Sequence, residues 1–386
     1  MKVAYLVPNL SQTGGWRSHA RAFLDAMRSH VDPVLYVSRA DLSAAQQIFP
    51  GDMIIPLPSL QEASYAGKRG PFRLAQTYWF IRHSHPPQVD LVHSLEAFPT
   101  GLVGSWLAER IGAPLALTIH GSYGILPYEH RLNQRAYCRV LQGAKLICPV
   151  SHGTARLLQA YFGPWLADAT IHPILNGNDF YQQVPRQEAL ARSMPAIPTI
   201  LTVGDIKPRK GQDLSLAAFA RVKQELPQAR YRIVGRFKQD TYYWLIQDLI
   251  NRHGLQDVEL TGRVSAEELR RQYREASLFV LTPRQDGLHF EGFGLVYLEA
   301  GAYGLPVVAT RSGGVPDAVR EEETGLLANP EDVEGIAQAM LRLLCDPDLN
   351  RQMGQANRDW AETLTWQRTA QEQVAQYRKL LQGVAP

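Results

Sequence analysis

Residues 278–310 read LFVLTPRQDGLHFEGFGLVYLEAGAYGLPVVAT, and this stretch decides the fold. It opens with the apolar run Leu278–Leu281 and closes with a second one, Val307–Ala309. A glycine-rich loop and a helical segment separate the two runs. Short apolar runs joined by a helix indicate parallel strands that are buried on both faces of a sheet. We therefore expect an α/β fold.

The same alternation extends over most of the chain. At about 150 residues per domain, the length of 386 residues predicts two domains, each with its own core. The predicted strands are Val3–Val7, Val34–Val37, Leu91–His93, Leu115–Ile119, Leu146–Val150, Thr199–Val203, Tyr231–Val234, Val258–Leu260, Leu278–Leu281 and Val307–Ala309.

The alternation breaks between Asn176 and Pro198, where three prolines occur and core-like positions are few. We read this break as the domain boundary. The predicted organisation is a first domain at 1–180, a linker at 181–198, a second domain at 199–364 and a C-terminal helix at 365–386. Packing of that helix back on the first domain is one placement for it.

The composition excludes several classes of protein. An apolar fraction of 45% with 30 Gly and 25 Pro excludes a disordered or collagen-like chain. A net charge of +3 argues against a nucleic-acid partner, which needs a large cationic surface. The charge is uneven, however: residues 1–190 carry +4 and residues 191–386 carry −1.

Cysteine usage and hydropathy indicate the compartment. Cys138, Cys148 and Cys345 have no short metal-type spacing, and their odd number argues for a reducing environment, with all three as buried packing residues. The N-terminal apolar run stops at Pro8, so it reads as a core strand rather than a signal peptide. We expect a cytoplasmic protein, at most peripheral on the inner face of the membrane.

Ligands of open parallel sheets bind at the carboxyl ends of the strands, so the loops there are the first candidates. Gly14 and Gly15 follow the first strand and precede a helix, which suits either an anionic group at the helix end or a tight turn without a ligand. His120 follows the predicted strand Leu115–Ile119 and can donate a hydrogen bond or titrate near neutrality. For His83, His85 and His93, surface or packing roles are expected.

Two glutamates in the opening stretch are the strongest functional signal. Glu291 and Glu299 are eight positions apart, and Gly292-Phe293-Gly294 between them opens a predicted helix with Glu299 two turns along it. Amide groups at the start of that helix would face the same cavity as Glu291.

This stretch resembles the C-terminal signature of the retaining glycosyltransferases of family 4, also called glycosyl transferases group 1. The resemblance implies the GT-B architecture, in which two Rossmann-like domains face each other with the active site in the cleft. It covers most of the chain, through Gly14-Gly15, His120-Gly121, VSHGT from Val150, ILNGND ending at Asp179, VGDIKPRKG from Val203, IVG ending at Gly235, and LTGRV ending at Val264.

The resemblance implies a nucleotide-diphosphate sugar, UDP- or GDP-linked, as co-substrate, with no cofactor or metal required. In the family pattern Glu299 binds the ribose hydroxyls, Glu291 contacts the transferred sugar, and His120 lies at the reacting centre. The diphosphate would be held by Lys210, a mobile positive charge, and by backbone amides at the helix start. The donor-binding positions carried over are Gly15, Lys210, Val264, Gly292, Phe293, Gly294, Leu295 and Glu299.

One position departs from the family pattern. The family usually has an Arg after the Gly of the VG motif, but this chain has Asp205, which would repel a phosphate. Lys207 and Arg209 are the nearby candidates to supply the missing cation. Without compensation, the loss of one charge-assisted contact would weaken donor binding by about 1.5–3 kcal/mol.

The basic first half has two features of its own. Arg131, Arg135 and Arg139 recur every four residues on a predicted helix, which suits a solvated face, an acceptor phosphate or an anionic lipid surface. Basic residues at 68–73 precede the aromatic run Tyr78–Phe80, which suits a lipid interface, a sugar-stacking wall or ordinary packing. We place Gly14 and the three arginines on the acceptor side.

The predicted activity is transfer of a hexose to a hydroxyl acceptor, which is a polysaccharide, a glycolipid or a small glycoside. The alternatives are a sugar-nucleotide epimerase or phosphorylase of the same architecture, and a nucleotide-sugar-binding protein with weakened catalysis. Asp346-Pro347-Asp348 matches an Asp-x-Asp metal motif only superficially, because Asp-Pro is a common helix start.

Overall fold

A computed structural model describes residues 1–10, 15–60 and 70–383. The chain divides into two compact units. Unit 1 comprises Met1–Gly177 together with Trp366–Pro386, and unit 2 comprises Asn178–Thr365.

Unit 1 is built on a seven-stranded parallel sheet of order β3-β2-β1-β4-β5-β6-β7. Its strands are β1 (Lys2–Val7), β2 (Asp32–Ser38), β3 (Met53–Leu57), β4 (Leu91–Ser94), β5 (Leu115–Ile119), β6 (Ala144–Pro149) and β7 (Thr170–Ile171). Its first six described helices are α1 (Gly15–Met27), α2 (Leu42–Ile48), α3 (Gly70–His83), α4 (Thr100–Ile111), α5 (Arg131–Gly143) and α6 (His152–Phe162).

Unit 2 repeats this plan with a six-stranded parallel sheet of order β10-β9-β8-β11-β12-β13. Its strands are β8 (Thr199–Val203), β9 (Arg230–Val234), β10 (Val258–Gly262), β11 (Leu278–Leu281), β12 (Val307–Thr310) and β13 (Gly325–Ala328). Its helices are α7 (Arg186–Leu190), α8 (Gln212–Glu225), α9 (Thr241–Arg252), α10 (Ala266–Glu275), α11 (Leu295–Ala302), α12 (Val315–Ala318), α13 (Val333–Cys345) and α14 (Pro347–Thr363).

The last helix, α15 (Trp366–Gly383), belongs to unit 1 although it follows unit 2 in the chain. Its buried residues Trp366, Val374 and Tyr377 join the core formed by β1 and α1. Apolar residues three and four positions apart on this helix form one face, and that face is what unit 1 buries.

The segment predicted as a linker, 181–198, is part of unit 2. It contains α7, whose Arg186 forms ion pairs with Asp359 and Glu362 on α14. From the same helix, buried Arg358 donates hydrogen bonds to the carbonyl oxygens of Tyr181 and Val184. The boundary between the units therefore lies at Gly177, ahead of the predicted linker.

Each of the ten predicted strands exists, with ends shifted by at most two residues. The structure adds β3, β7 and β13 to them. Cys138 and Cys148 are buried as expected, but Cys345 is exposed, so the packing role predicted for it is wrong. None of the described helices combines the length and apolar character needed to cross a membrane.

Candidate active site

In the sheet of unit 2, the order of successive strands reverses between β8 and β11. Strands β9 and β10 are added on one side of β8, whereas β12 and β13 are added on the far side of β11. Loops at such a switch point diverge and leave a crevice at the carboxyl ends of the strands. The loop after β8 carries Lys210, and the loop after β11 carries Glu291. The topology therefore brings these two predicted site residues to one place.

Glu291 and Lys210 form a buried ion pair at this edge, with 9% and 8% of their surfaces exposed. A second cation, Arg209, places its Nη1 atom 3.0 Å from the Oε2 atom of Glu291. Burial by itself raises the pKa of Glu291, but Lys210 and Arg209 outweigh it and hold the pKa below its usual value. Glu291 is thus an ionised carboxylate, and Lys210, expected to supply a mobile positive charge, is paired with it in this structure.

Gly211 fixes the position of Lys210. Its φ of +67° is in the left-handed region, and a Cβ atom there would lie 1.9 Å from the carbonyl oxygen of Thr282. The Thr282 hydroxyl donates a hydrogen bond of 2.7 Å to the Gly211 carbonyl oxygen. Only glycine allows this contact, which ties the loop after β8 to the end of β11.

Asp205, the departure from the family pattern, is neutralised by a residue that the sequence reasoning missed. Arg236 follows β9 and donates to both carboxylate oxygens of Asp205, at 3.1 and 2.9 Å. The Nζ atom of Lys207 lies 3.6 Å from the same carboxylate. Although burial opposes them, Arg236 and Lys207 keep the pKa of Asp205 below its usual value. The signal in the sequence was the charge pair at the ends of two adjacent strands.

Helix α11 begins at Leu295 rather than at Gly292, so Glu299 lies one turn along it instead of two. Gly294 occupies the N-cap with a φ of +93°, and a Cβ atom there would come within 2.4 Å of the Tyr297 ring. Gly292, Phe293 and Gly294 form the loop before the helix, where the positive end of the helix dipole favours an anion.

Glu299 is a half-buried carboxyl on α11. Burial raises its pKa to about 7, and the neighbouring Tyr273 hydroxyl offsets part of that rise. Its environment is opposite to that of Glu291, which has two cations beside it. Val264, also predicted to bind the donor, follows the end of β10 by two residues in the same unit.

In unit 1, His120 directly follows β5, and its ring packs edge-on against that of His19 with centroids 4.7 Å apart. Burial lowers the pKa of His120 to about 4. Of the two roles expected for His120, the lowered pKa favours hydrogen bonding over titration near neutrality. A neutral imidazole still donates one hydrogen bond and accepts another.

A network of buried aromatic and polar groups lies behind His120. His93 has its Nε2 atom 2.8 Å from the Thr118 hydroxyl and its Nδ1 atom at the Tyr377 hydroxyl. Burial lowers the pKa of His93 to about 3 and that of His19 well below the usual value. His93 has the expected packing role, whereas no pattern in the sequence singled out His19.

The remaining predicted residues are spread over unit 1. Gly15 is the first residue of α1, and Gly14 lies outside the described residues. Arg131, Arg135 and Arg139 are exposed along one side of α5.

In unit 2, the Asp346 side chain accepts hydrogen bonds from the amides of Asp348 and Leu349 at the start of α14. The helix-start interpretation of Asp346-Pro347-Asp348 is confirmed.

Two family models match the chain. The model described as Glycosyltransferase Family 4 matches residues 13–180, and the model described as Glycosyl transferases group 1 matches residues 188–360.

Among curated proteins, the chain is similar to a GDP-mannose-dependent alpha-(1-6)-phosphatidylinositol monomannoside mannosyltransferase of Mycolicibacterium smegmatis. The two are 33% identical over 277 residues, which span 69% of this chain and 70% of the relative. A D-inositol 3-phosphate glycosyltransferase of Thermobifida fusca is 31% identical over 76% of this chain and 70% of its own length.

Solved structures of the same fold match the whole chain. A sucrose-phosphate synthase from Thermosynechococcus elongatus superimposes with a TM-score of 0.73 at 21% identity, covering 99% of both chains. HepE of Anabaena, in complex with UDP and glucose, gives 0.69 at 19% identity, covering 98% of this chain and 99% of that one. At these identities the likeness shows the fold alone, and it confirms the expected α/β architecture of the GT-B type.

Proposed function

Because this chain belongs to glycosyltransferase family 4, the glycosyl transferases group 1, we propose that it transfers a hexose from a UDP- or GDP-sugar to a hydroxyl acceptor with retention of configuration. The chain is a glycosyltransferase; the donor, acceptor and stereochemistry are the parts proposed. The name of the mycobacterial relative supports GDP-mannose as the first donor to test.

The observation that carries the proposal is the cluster of Glu291, Lys210 and Arg209 at the carboxyl edge of the unit 2 sheet. Its two cations suit the negative charge that develops on a departing diphosphate, and they stand ready before the reaction begins. Glu291, an acceptor of hydrogen bonds only, suits the hydroxyl groups of the transferred sugar.

The backbone around α11 suits the rest of the donor. Amides of Phe293, Gly294 and Leu295 at the positive end of the helix would bind the diphosphate, beside Gly292. Glu299 would accept hydrogen bonds from the ribose diol. Val264 and Gly15 stay in the donor site as proposals that rest on the family pattern.

We assign the missing diphosphate cation to Arg209 rather than to Lys207. Arg209 already lies at Glu291 beside Lys210, whereas Lys207 is directed to Asp205. Pairing with Arg236 also neutralises Asp205, which reduces its repulsion toward a phosphate. This compensation favours an active enzyme over the alternative of a nucleotide-sugar-binding protein with weakened catalysis.

His120 would contribute a hydrogen bond at the reacting centre as a neutral imidazole, in keeping with its lowered pKa. Retention by a covalent intermediate needs a carboxylate nucleophile, as in glycosidases. In the family pattern the leaving phosphate instead assists deprotonation of the acceptor on the same face of the sugar. That pattern needs no metal, so activity should survive a chelator.

The acceptor is proposed to be a polysaccharide, a glycolipid or a small glycoside handled by unit 1, the basic part of the chain. Peripheral contact with an anionic membrane on the cytoplasmic side belongs to the same proposal. The printed name of the mycobacterial relative, whose acceptor is a phosphatidylinositol derivative, supports a lipid acceptor.

The test is a thermal-shift screen with UDP-, GDP- and ADP-sugars, followed by product detection with candidate acceptors. We expect stabilisation by one nucleotide and its sugar, and product formation in the presence of a chelator. If no nucleotide or nucleotide sugar stabilises the protein at millimolar concentration, the donor site is wrong. If nucleotides bind but no acceptor is glycosylated, the result supports the alternative of a nucleotide-sugar-binding protein with weakened catalysis.

A further inference from the structure

Three consecutive helices of unit 1 form one surface, and we propose that this surface docks on an anionic lipid bilayer. The surface, called here the three-helix face, consists of α3, α4 and α5. The inference deepens the peripheral membrane contact and rests on that part of the proposed function, but it assigns the contact to named residues.

The aromatic run Tyr78–Phe80 and the three arginines of α5, which are far apart in the sequence, both belong to this face. Helix α3 packs against α4, and the rings of Tyr78 and Trp106 make an edge-on contact with centroids 5.0 Å apart. Helix α5 also packs against α4. Trp106 is therefore shared by both neighbours, since it contacts Tyr78 of α3 and lines a groove together with Arg139 of α5.

Helix α3 exposes large aromatic side chains, whereas a helix face in contact with water alone is usually polar. Its buried residues are Gly70, Thr77 and Ile81, whereas Phe72 is 71% exposed and Trp79 is 62% exposed. Tyr78, at 45%, is also exposed. Large aromatic side chains beside arginines are typical of segments that insert into the interfacial region of a membrane. Ordinary packing, one of the roles considered for the run Tyr78–Phe80, leaves most of Trp79 uncovered, because its ring stacks on that of His83 and the side chain stays exposed.

Charge complementarity selects an anionic partner. The three helices contain six arginines and one acidic residue, Glu109, for a net charge of +5. The side chains of Arg131, Arg135 and Arg139 lie along one exposed stripe of α5, and Lys145 follows it. Within residues 1–10, 15–60 and 70–383, these four cations form no ion pair, although most arginines of unit 2 do.

A groove between α4 and α5 adds apolar surface to the same face. It has a volume of about 760 Å³ and is lined by Leu102 and Trp106 of α4, by Ala136 of α5, and by Pro114. The charged side chains that line it are Arg139, Lys145 and Glu109. A mostly apolar lining with two cations and one carboxylate has a net positive charge, which suits lipids whose phosphates meet the cations while acyl or glycerol carbons cover the apolar surface.

The experiment is co-sedimentation of the full chain with vesicles of phosphatidylcholine alone and of phosphatidylcholine with phosphatidylglycerol. We expect binding to the anionic vesicles that weakens with salt and is much weaker with phosphatidylcholine alone. A basic residue near an anionic surface contributes about fivefold to partitioning. The triple variant R131Q/R135Q/R139Q should therefore bind about 100-fold more weakly.

The matched control is R271Q/R342Q/R351Q, which removes the same charge from exposed positions of unit 2. It should keep vesicle binding within about fivefold of the unmodified protein. The variant F72S/W79S should also bind more weakly, whereas W244S, which removes an exposed tryptophan of unit 2, should not.

Equal losses in the two arginine triples would overturn the three-helix face and indicate general electrostatic attraction. Binding that F72S/W79S leaves unchanged, or absence of binding to anionic vesicles, would also overturn it. Nucleotide stabilisation is measured on every variant: if it persists while vesicle binding fails, only this inference fails. If it is absent in the unmodified protein, the transferase proposal fails instead.

Discussion

Substitution of Arg209 by alanine is the sharpest test of how the donor site tolerates Asp205. Arg209 lies 3.0 Å from Glu291, and 27% of its side chain is exposed. A charge-assisted contact contributes about 1.5–3 kcal/mol, and partial exposure favours the lower part of that range. We expect R209A to raise the Kd of the nucleoside diphosphate about 10- to 30-fold.

The matched control is K207A. Lys207 has a side chain 54% exposed and an Nζ atom 3.6 Å from Asp205, so it forms a surface ion pair. Such pairs contribute at most about 1 kcal/mol, and the Kd should change less than about fivefold. Glu291 keeps Lys210 as its partner in R209A, so this variant should remain folded.

Isothermal titration calorimetry with UDP and GDP gives the Kd of both variants. The same titration with uridine and guanosine, which have no phosphates, isolates the contribution of the diphosphate. Nucleoside binding should be the same in R209A and in the unmodified protein. The reasoning is refuted if K207A loses as much affinity as R209A. It is also refuted if R209A weakens nucleoside binding as much as diphosphate binding.

Three further predictions follow from individual residues. Because burial raises the pKa of Glu299 to about 7 and only the ionised carboxylate accepts from both ribose hydroxyls through both oxygens, the affinity for uridine or guanosine, which carry no titrating phosphate, should rise severalfold from pH 6 to pH 8, and E299Q should lose this dependence in calorimetry. H120A should lower kcat more than it raises the Kd of the donor, and unchanged kcat would remove His120 from the reacting centre. G211A, whose Cβ would meet the Thr282 carbonyl oxygen, should lower the free energy of unfolding, measured in urea, by about 2 kcal/mol or more. The loss should be smaller in G254A, because Gly254 also has a positive φ but has open space around it. Equal losses in the two variants would contradict the role of Gly211.

Much of the fold followed from the sequence because central strands of a parallel sheet are continuous apolar runs. The three strands that were missed are at sheet edges or are very short. Strand β3 is the edge strand MIIPL and contains Pro56, which lowers its strand signal. Strand β7 has two residues, and β13 begins at a glycine.

The sequence predicted which residues belong to the candidate site, but it did not predict their ion pairs or the shifts of their pKa values. Glu291 and Lys210 were named from the family pattern, but their ion pair depends on which loops meet at the switch point between β8 and β11. The partner of Asp205 is Arg236, thirty-one positions away on a neighbouring strand end. The lowered pKa of His120 comes from burial among His19 and other rings, which no local pattern reveals.

The most direct test of the central claim, that unit 2 binds the donor through the Glu291–Lys210–Arg209 cluster and α11, is a crystal structure of the full chain with bound GDP or UDP. The account predicts the diphosphate at Lys210, Arg209 and the amides of 293–295, with the ribose at Glu299. A nucleotide bound at another edge of the sheet, or one whose phosphates contact neither Lys210 nor Arg209, would contradict it.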